Sequence, residues 1–181
     1  ESIAPQSKKE SWDNVGLLCG RRDKQVTTIL VALDPFEDVA EEAVKLGADL
    51  IVTHHPLIFH PLYSLTDDTA IGRTAATLLR HDIAAFSAHT NLDIARGGVN
   101  DALAEAVGLT DCRGLELVSP SSGDFLGRIG QLAEPVSAHE FALALKSQLG
   151  AASVKFADAG KPIRTVALCS GSGADYLELA A

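Results

Sequence analysis

Short apolar runs alternate with amphipathic stretches along the N-terminal part of the chain. Residues 28–33 and 49–53 form two such runs, and residues 83–88 form a third. Their length and their content of β-branched residues are typical of strands that are buried on both faces. The pattern therefore predicts three interior strands in this part of the chain.

The stretches between and after these runs carry apolar residues at helical spacing. The quartet at residues 34–37 predicts a helix start, with Asp34 as the N-cap, Pro35 in the first turn and Glu37 completing a capping box. Gly47 ends this helix. Two further helices are predicted over residues 70–80 and 98–107, and Gly108 ends the second of these as a left-handed glycine. The positions predicted to face the core are Phe36, Val39, Ala40, Ala43, Val44, Ile71, Ala75, Leu78, Leu79, Val99, Leu103, Ala106 and Val107.

An alternation of strand and helix implies right-handed crossovers, so the fold class predicted is α/β, with mostly parallel sheets flanked by helices. Beyond Cys112 the pattern is less regular. Strands are predicted at 127–132, 153–156 and 165–169, and a helix begins at Ser137, where Glu140 completes a capping box and Phe141, Leu145 and Leu149 share one face.

Composition excludes several protein classes. The 181 residues are 46% hydrophobic and 22% charged, which excludes a disordered, collagen-like or coiled-coil chain. A net charge of -9 with scattered Lys and Arg disfavours direct nucleic-acid binding. Three cysteines without a CxxC pair suggest no disulfide framework and no thiolate zinc site. No apolar stretch approaches the roughly 18 residues of a membrane span. We therefore expect a cytoplasmic protein with no membrane partner, and the absence of Met suggests that the chain is incomplete at one or both ends.

Histidines and a carboxylate follow two of the predicted strands. His54 and His55 come directly after the second strand, and the third runs into a segment with His89 and Asp93. The carboxyl ends of parallel strands form the binding edge of such sheets. Because neighbouring residues of a strand point to opposite faces, the histidine pair suits two ions better than one, with Asp93 as a bridge or anchor. Imidazole and carboxylate suit zinc, iron, manganese or nickel. The alternative, histidines that are only half-buried at strand ends, stays open.

Other polar positions point less clearly to chemistry. His60 and His81 are expected on the surface or in loops, and the start of a helix explains His139. The glycine-rich turn at 171–173 is either a tight turn, which we favour, or a phosphate cradle. In the loop at 11–18 we expect Trp12 to anchor the chain to the core, while Asp13 and Asn14 make turn hydrogen bonds. No cysteine has a nearby base that would make it a nucleophile.

Three segments, residues 11–17, 47–59 and 89–93, closely resemble the GTP cyclohydrolase I type 2 homologue family, also called the NGG-one-interacting-factor-three-like family. The resemblance covers nearly the whole chain. It implies two related lobes, here 1–110 and 111–181, with a dinuclear metal site in the cleft between them. It also implies a ring-shaped homohexamer.

The resemblance assigns His54 and His55 to different metal ions and makes Asp93 the third ligand, with His89 as an additional ligand or a catalytic, substrate-facing group. Asp13 and Asn14 would support the site. Family members complete the site with a His and a Glu, one helical turn apart near the C-terminus. This sequence contains no such pair, which adds to the expectation of a missing C-terminal stretch, and it has no long central insert.

The function expected is a metal-dependent hydrolase, in which two divalent ions activate water against a phosphorylated or heterocyclic, nucleotide-like small molecule. Only the family name suggests GTP. The alternative is a regulatory or scaffold protein whose metal site is structural or sensory and which binds partner proteins without turnover. A third possibility is nucleotide binding at the turn 171–173.

Overall fold

The computed structural model describes residues 2–119 and 121–181. Glu1 and Pro120, which fall within the predicted lobes, lie outside the described residues. The chain divides into two compact units, Glu1–Leu92 and Asp93–Ala181. The helix predicted at 98–107, which falls within the predicted lobe 1–110, therefore belongs to the second compact unit.

The first unit is built around a four-stranded mixed sheet. Its strands lie in the order β1-β4-β3-β2, and β2, β3 and β4 are parallel while β1 pairs antiparallel with β4. The predicted parallel arrangement of the three apolar runs is confirmed. The elements are β1 (Gly16–Cys19), β2 (Ile29–Ala32), α1 (Glu37–Leu46), β3 (Leu50–Thr53), α2 (Ala70–Arg80), β4 (Ala84–Ser87) and the short α3 (Thr90–Ile94), within which the first unit ends.

The core of the first unit lies between this sheet and its helices. Ile51 of β3 and Leu78 of α2 are among its most buried side chains. The predicted inward positions of α2 are only partly right, because Ile71 and Leu79 are 37% and 51% exposed. Ala75 and Leu78 are buried, so only part of the apolar face of α2 packs into the core. The core cluster comprises Ala40, Ala43, Ala48, Ile51, Leu57, Ala75, Leu78, Ile83 and Ala85.

The strand predicted at 28–33 is not buried on both faces. It forms β2, the edge strand of the sheet, and alternate side chains are exposed, with Ile29 at 53% and Val31 at 74%. A continuous apolar run does not reveal whether both faces of its strand are covered by other parts of the chain. The pattern therefore predicted more burial for β2 than the structure shows.

The second unit contains an antiparallel sheet, so the prediction of mostly parallel sheets is wrong for this part. Its strands lie in the order β5-β6-β7, with both pairs antiparallel. Residues 153–156, predicted as a strand, have no regular structure, and the first residues of β5 are exposed without alternation, so the pattern missed that strand. The elements are α4 (Val99–Val107), β5 (Thr110–Ser119), β6 (Asp124–Val136), α5 (Ala138–Gln148), β7 (Ile163–Leu168) and α6 (Leu177–Ala180).

Predicted helix ends are confirmed where local chemistry defines them. The capping box of Ser137 and Glu140 starts α5. Gly47 and Gly108 end α1 and α4 with φ values of 63° and 78°, a conformation that glycine adopts at little cost. No helix within the described part of the chain has both the length and the apolar character needed to cross a membrane.

Candidate metal centre

His54 and His55 leave the sheet at the end of β3. The strand ends at Thr53, whose hydroxyl donates to the carbonyl of His55 at 2.7 Å, and the amide of His55 donates to Leu33 O at 3.0 Å. The two residues therefore lie in a bend and not in extended backbone, so the alternation of side chains along a strand no longer applies to them. Their ring centroids are 5.2 Å apart.

His89 joins this pair from the end of β4. Its ring centroid lies 5.1 Å from that of His54 and 5.8 Å from that of His55. One ligand atom from each of the three histidines lies within 4.8 Å of the others. The structure thus brings His54, His55 and His89 together in a group that could hold a metal ion.

Hydrogen bonds at Nδ1 define how the three rings are oriented. Nδ1 of His54 lies 2.9 Å from Ala88 O, that of His55 lies 2.6 Å from Oδ1 of Asp34, and that of His89 lies 2.9 Å from Oδ1 of Asp13. Each partner is an oxygen that can only accept, so each Nδ1 carries the proton and donates it. This tautomer leaves Nε2 of each ring as the atom that could bind a metal ion. A donor set of three imidazole nitrogens suits a divalent transition ion.

Asp13 is the buried support of His89. Its side chain accepts hydrogen bonds from the amide of Thr90 at 3.1 Å, from the Thr90 hydroxyl, and from His89. Burial acts to raise the pKa of Asp13, but the hydrogen bonds from Thr90 and His89 outweigh burial, and its pKa lies below the ordinary value. Asp13 is therefore an anion at neutral pH. The resemblance implied that Asp13 supports the site, and Asp13 does contact one of the three histidines, His89. The side chain of the next residue, Asn14, donates a hydrogen bond to Ile58 O at 2.6 Å.

Asp34 supports His55 and does not cap α1. The helix begins at Glu37 with Phe36 as its N-cap and no side-chain cap, so the predicted capping role of Asp34 is wrong. Its carboxylate instead accepts a hydrogen bond from Nδ1 of His55. The strand register explains this contact, since parallel β2 and β3 pair at Ala32 and Thr53, and Asp34 and His55 each lie two residues further on.

Asp93 is the first residue of the second unit. It is 8% exposed, its Oδ1 accepts a hydrogen bond from the Ser170 hydroxyl at 2.8 Å, and its carbonyl accepts one from Asn100 Nδ2 at 3.0 Å. Its role as a metal ligand stays a prediction. The amide of Ser170 donates to Asn100 Oδ1 at 2.8 Å. Both the amide and the hydroxyl of Ser170, directly before the turn 171–173, thus donate hydrogen bonds to side chains of this chain.

Trp12 lies at the surface beside the histidines. Its side chain is 59% exposed, and its ring lies 6.0 Å from Phe59 and 6.4 Å from His89, centroid to centroid. The prediction that it anchors the chain to the core is therefore wrong. His60 and His81 are exposed, as predicted.

The whole chain resembles one protein family. A family model described as Duf34/NIF3 (NGG1p interacting factor 3) matches residues 1–181. A "GTP cyclohydrolase 1 type 2 homolog" from Clostridium perfringens is 41% identical over 97% of this chain and 68% of its own length, and one from Streptomyces coelicolor is 40% identical over 96% and 62%. This chain thus spans about two thirds of the length of these relatives. The crystal structure of a Bacillus cereus protein related to NIF3 superposes with a TM-score of 0.90 at 26% identity, covering 99% of this chain and 76% of that chain.

Proposed function

The chain belongs to the DUF34/NIF3 family, and on this premise we propose that it binds divalent metal and acts as a metal-dependent hydrolase on a small molecule. The observation that carries the proposal is the convergence of His54, His55 and His89, with each Nδ1 facing an oxygen acceptor. Histidine ligands of metal sites usually donate their second ring nitrogen in this way.

Two carboxylates next to the histidine group make this site suitable for a cation. Asp13 and Asp34 accept hydrogen bonds from two of the rings and fix their orientation, as carboxylates behind the histidine ligands of metal sites do. A bound divalent ion would supply Lewis acidity and lower the pKa of a bound water towards about 7. Zinc, iron, manganese and nickel all accept this donor set.

The finer form of the proposal is a dinuclear centre. His54 and His55 would bind different ions, Asp93 would be a third ligand, and His89 would be an additional ligand or a catalytic group facing the substrate. The family resemblance supports this arrangement. The names of the relatives add GTP as one candidate substrate within the class of phosphorylated or heterocyclic, nucleotide-like compounds.

A second candidate function is that of a metal-containing regulatory or scaffold protein. The exposed apolar side chains of Ile29 and Val31 on edge strand β2 favour it, because such an edge suits contact with another protein chain, including the further copies of a homohexamer. Asp93→Ala discriminates the two functions. Lost turnover with unchanged assembly supports the hydrolase, whereas lost assembly without any turnover supports the scaffold.

Elemental analysis after dialysis without chelator tests the metal site. We expect stoichiometric transition metal on the unaltered chain and on His81→Ala, whose ring is exposed and bonded to its own helix at Thr77 O. His55→Ala and His89→Ala should lose it. An unaltered chain without stoichiometric metal would overturn the proposal, and so would a His55→Ala variant that retains its full content.

A further inference from the structure

A recess of about 560 Å³ opens beside His55 in the first unit. This volume is within the range of small-molecule sites. Residues from the segment before α1, from the loop after β3 and from the start of α2 line it. Because His55 belongs both to the lining and to the histidine group, a molecule in the recess lies next to the candidate metal centre.

The walls of the recess are mainly apolar. Leu57 at its base is 4% exposed, while Phe36 and Ile71 are 63% and 37% exposed and therefore leave apolar surface open to a ligand. Phe59 also lines the recess, and it contacts Trp12 edge to face with centroids 6.0 Å apart. Aromatic and aliphatic walls of this kind favour a flat, apolar group.

The charged groups of the recess are all acidic. Asp34, Glu37 and Asp38 line it, and among the residues that the structure describes no Lys or Arg does. Arg73, which is not part of the lining, pairs with Glu37 through two hydrogen bonds of 2.7 and 2.9 Å. Asp38 keeps an exposed carboxylate, which accepts a hydrogen bond from the amide of Val39 at 2.9 Å.

An anionic group gains nothing from the helix end at this recess. The N-terminus of α1 favours negative charge, but the acidic side chains of Glu37 and Asp38 already occupy its first turn. Away from the candidate metal centre, the described residues that line the recess offer a phosphate or carboxylate no cation to offset these carboxylates. An uncharged or cationic group meets no such repulsion.

Building on the metal site of the proposed function, we propose that this recess binds an aromatic group, uncharged or cationic, of the small molecule on which the centre acts. The ring of the ligand packs between Phe36, Leu57 and Ile71. Amino or amidinium groups on the ring donate to the acidic rim. The phosphates of a nucleotide-like substrate lie outside the recess.

Three probes that share one ring and differ in charge test the proposal: benzamidine, benzamide and benzoate. Trp12 is the only tryptophan, so its indole N–H gives one resonance in a nitrogen-correlated NMR spectrum, and this resonance reports on the neighbouring Phe59. Titrations use the protein as purified with its metal and again after chelator treatment. After chelator treatment, when no metal ion can bind the carboxylate, we expect benzamidine to bind about fivefold or more tightly than benzoate, with benzamide between them. Equal or tighter binding of benzoate would overturn the proposal.

Two substitutions on α2 form a matched pair. Ile71→Arg places a cation and a long side chain in the recess, and Leu79→Arg adds the same group to the same helix outside the lining. We expect Ile71→Arg to weaken benzamidine binding about tenfold or more and Leu79→Arg to leave it unchanged. The melting temperature shows that both variants fold. Equal binding by the two variants would contradict the proposal.

Metal content separates this inference from the proposed function. Stoichiometric metal with no benzamidine shift in either state of the protein overturns the recess assignment alone. Absence of metal from the unaltered chain overturns the proposed function and, with it, the assignment of the recess to a substrate. Retained metal in Ile71→Arg together with lost benzamidine binding supports both.

Discussion

Single contacts decide the chemistry of the candidate centre. A histidine ring can present either nitrogen to a metal, and the oxygen acceptors at Nδ1 select Nε2. Asp34 and Asp13 provide two of these acceptors. The two carboxylates differ in environment, since Asp13 is 5% exposed whereas Asp34 is half-buried. A substitution of Asp34 therefore tests orientation of a ligand with less risk to the fold.

We predict that Asp34→Ala lowers metal affinity about 10–100-fold, because His55 loses the acceptor that fixes its ring and tautomer. Competitive titration with Zn²⁺ against a chromophoric chelator measures this change. Asp38→Ala is the matched control, since Asp38 is an exposed carboxylate close to Asp34 in sequence that accepts a hydrogen bond from the amide of Val39. Equal losses in the two variants would show that general charge, and not orientation of His55, sets the affinity.

Local hydrogen bonds define where a helix begins or ends, and burial of its side chains stabilises it. Helix α5 begins where Ser137 and Glu140 exchange hydrogen bonds, so its start is stabilised by neighbours in sequence. Helix α2 instead depends on tertiary contacts, because Leu78 is fully buried while the adjacent Leu79 is half exposed. The two helices therefore call for different substitutions.

At α5, we predict that Ser137→Ala lowers the free energy of unfolding by about 1 kcal/mol, because the amide of Glu140 loses its acceptor. Urea unfolding monitored by circular dichroism measures the change. Ser147→Ala, an exposed position in the last turns of the same helix, should leave stability unchanged or raise it slightly. A larger effect at position 147 than at 137 would contradict a stabilising role of the cap.

At α2, we predict that Leu78→Ala lowers the free energy of unfolding by about 2–5 kcal/mol, because it leaves a cavity in the core of the first unit. Leu79→Ala is the control of identical chemistry and should cost much less. Urea midpoints of the two variants give the comparison. Similar costs would mean that Leu79 is buried in the protein in solution.

The molecule as a whole is acidic, with a net charge of -9, and several of its carboxylates are stabilised as anions in the folded state. Hydrogen bonding to Arg128 is the main cause that lowers the pKa of Asp101, with a smaller contribution from the Gly97 amide. Arg128 itself is 7% exposed, whereas the side chain of Asp101 is 33% exposed. Acid should therefore weaken the folded state by protonating such groups.

We predict that the stability difference between the unaltered chain and Asp101→Asn is largest near neutral pH and shrinks in acid. The folded pKa of Asp101 lies below its unfolded value of about 3.9, so its stabilisation is fully present above that value. The stabilisation is lost as the pH falls through the folded pKa. Urea unfolding of both proteins between neutral pH and pH values below about 4 measures the difference. A difference that grows in acid would contradict the assignment.

Much of the first unit could be predicted from sequence, because its strands and helices carry clear periodicity and α1 ends at Gly47. The histidines of the candidate centre were found by the same logic, as polar residues that follow buried parallel strands. Asp34 was misread, since an Asp before Pro35 suits a helix cap as well as a ligand support. The second unit was predicted less well, because exposed β5 shows no alternation.

The sequence by itself determined the α/β class, the capped and glycine-ended helices, and the edge of the sheet where His54, His55 and His89 emerge. These features depend on neighbours in the chain, whose chemistry and periodicity the sequence displays directly. Only the tertiary structure decided that the backbone bends after Thr53, that Asp34 and Asp13 hold two of the rings, and that Ile71 faces an open recess. These features depend on distances between segments remote in sequence, and burial and hydrogen bonding set those distances only once the chain has folded.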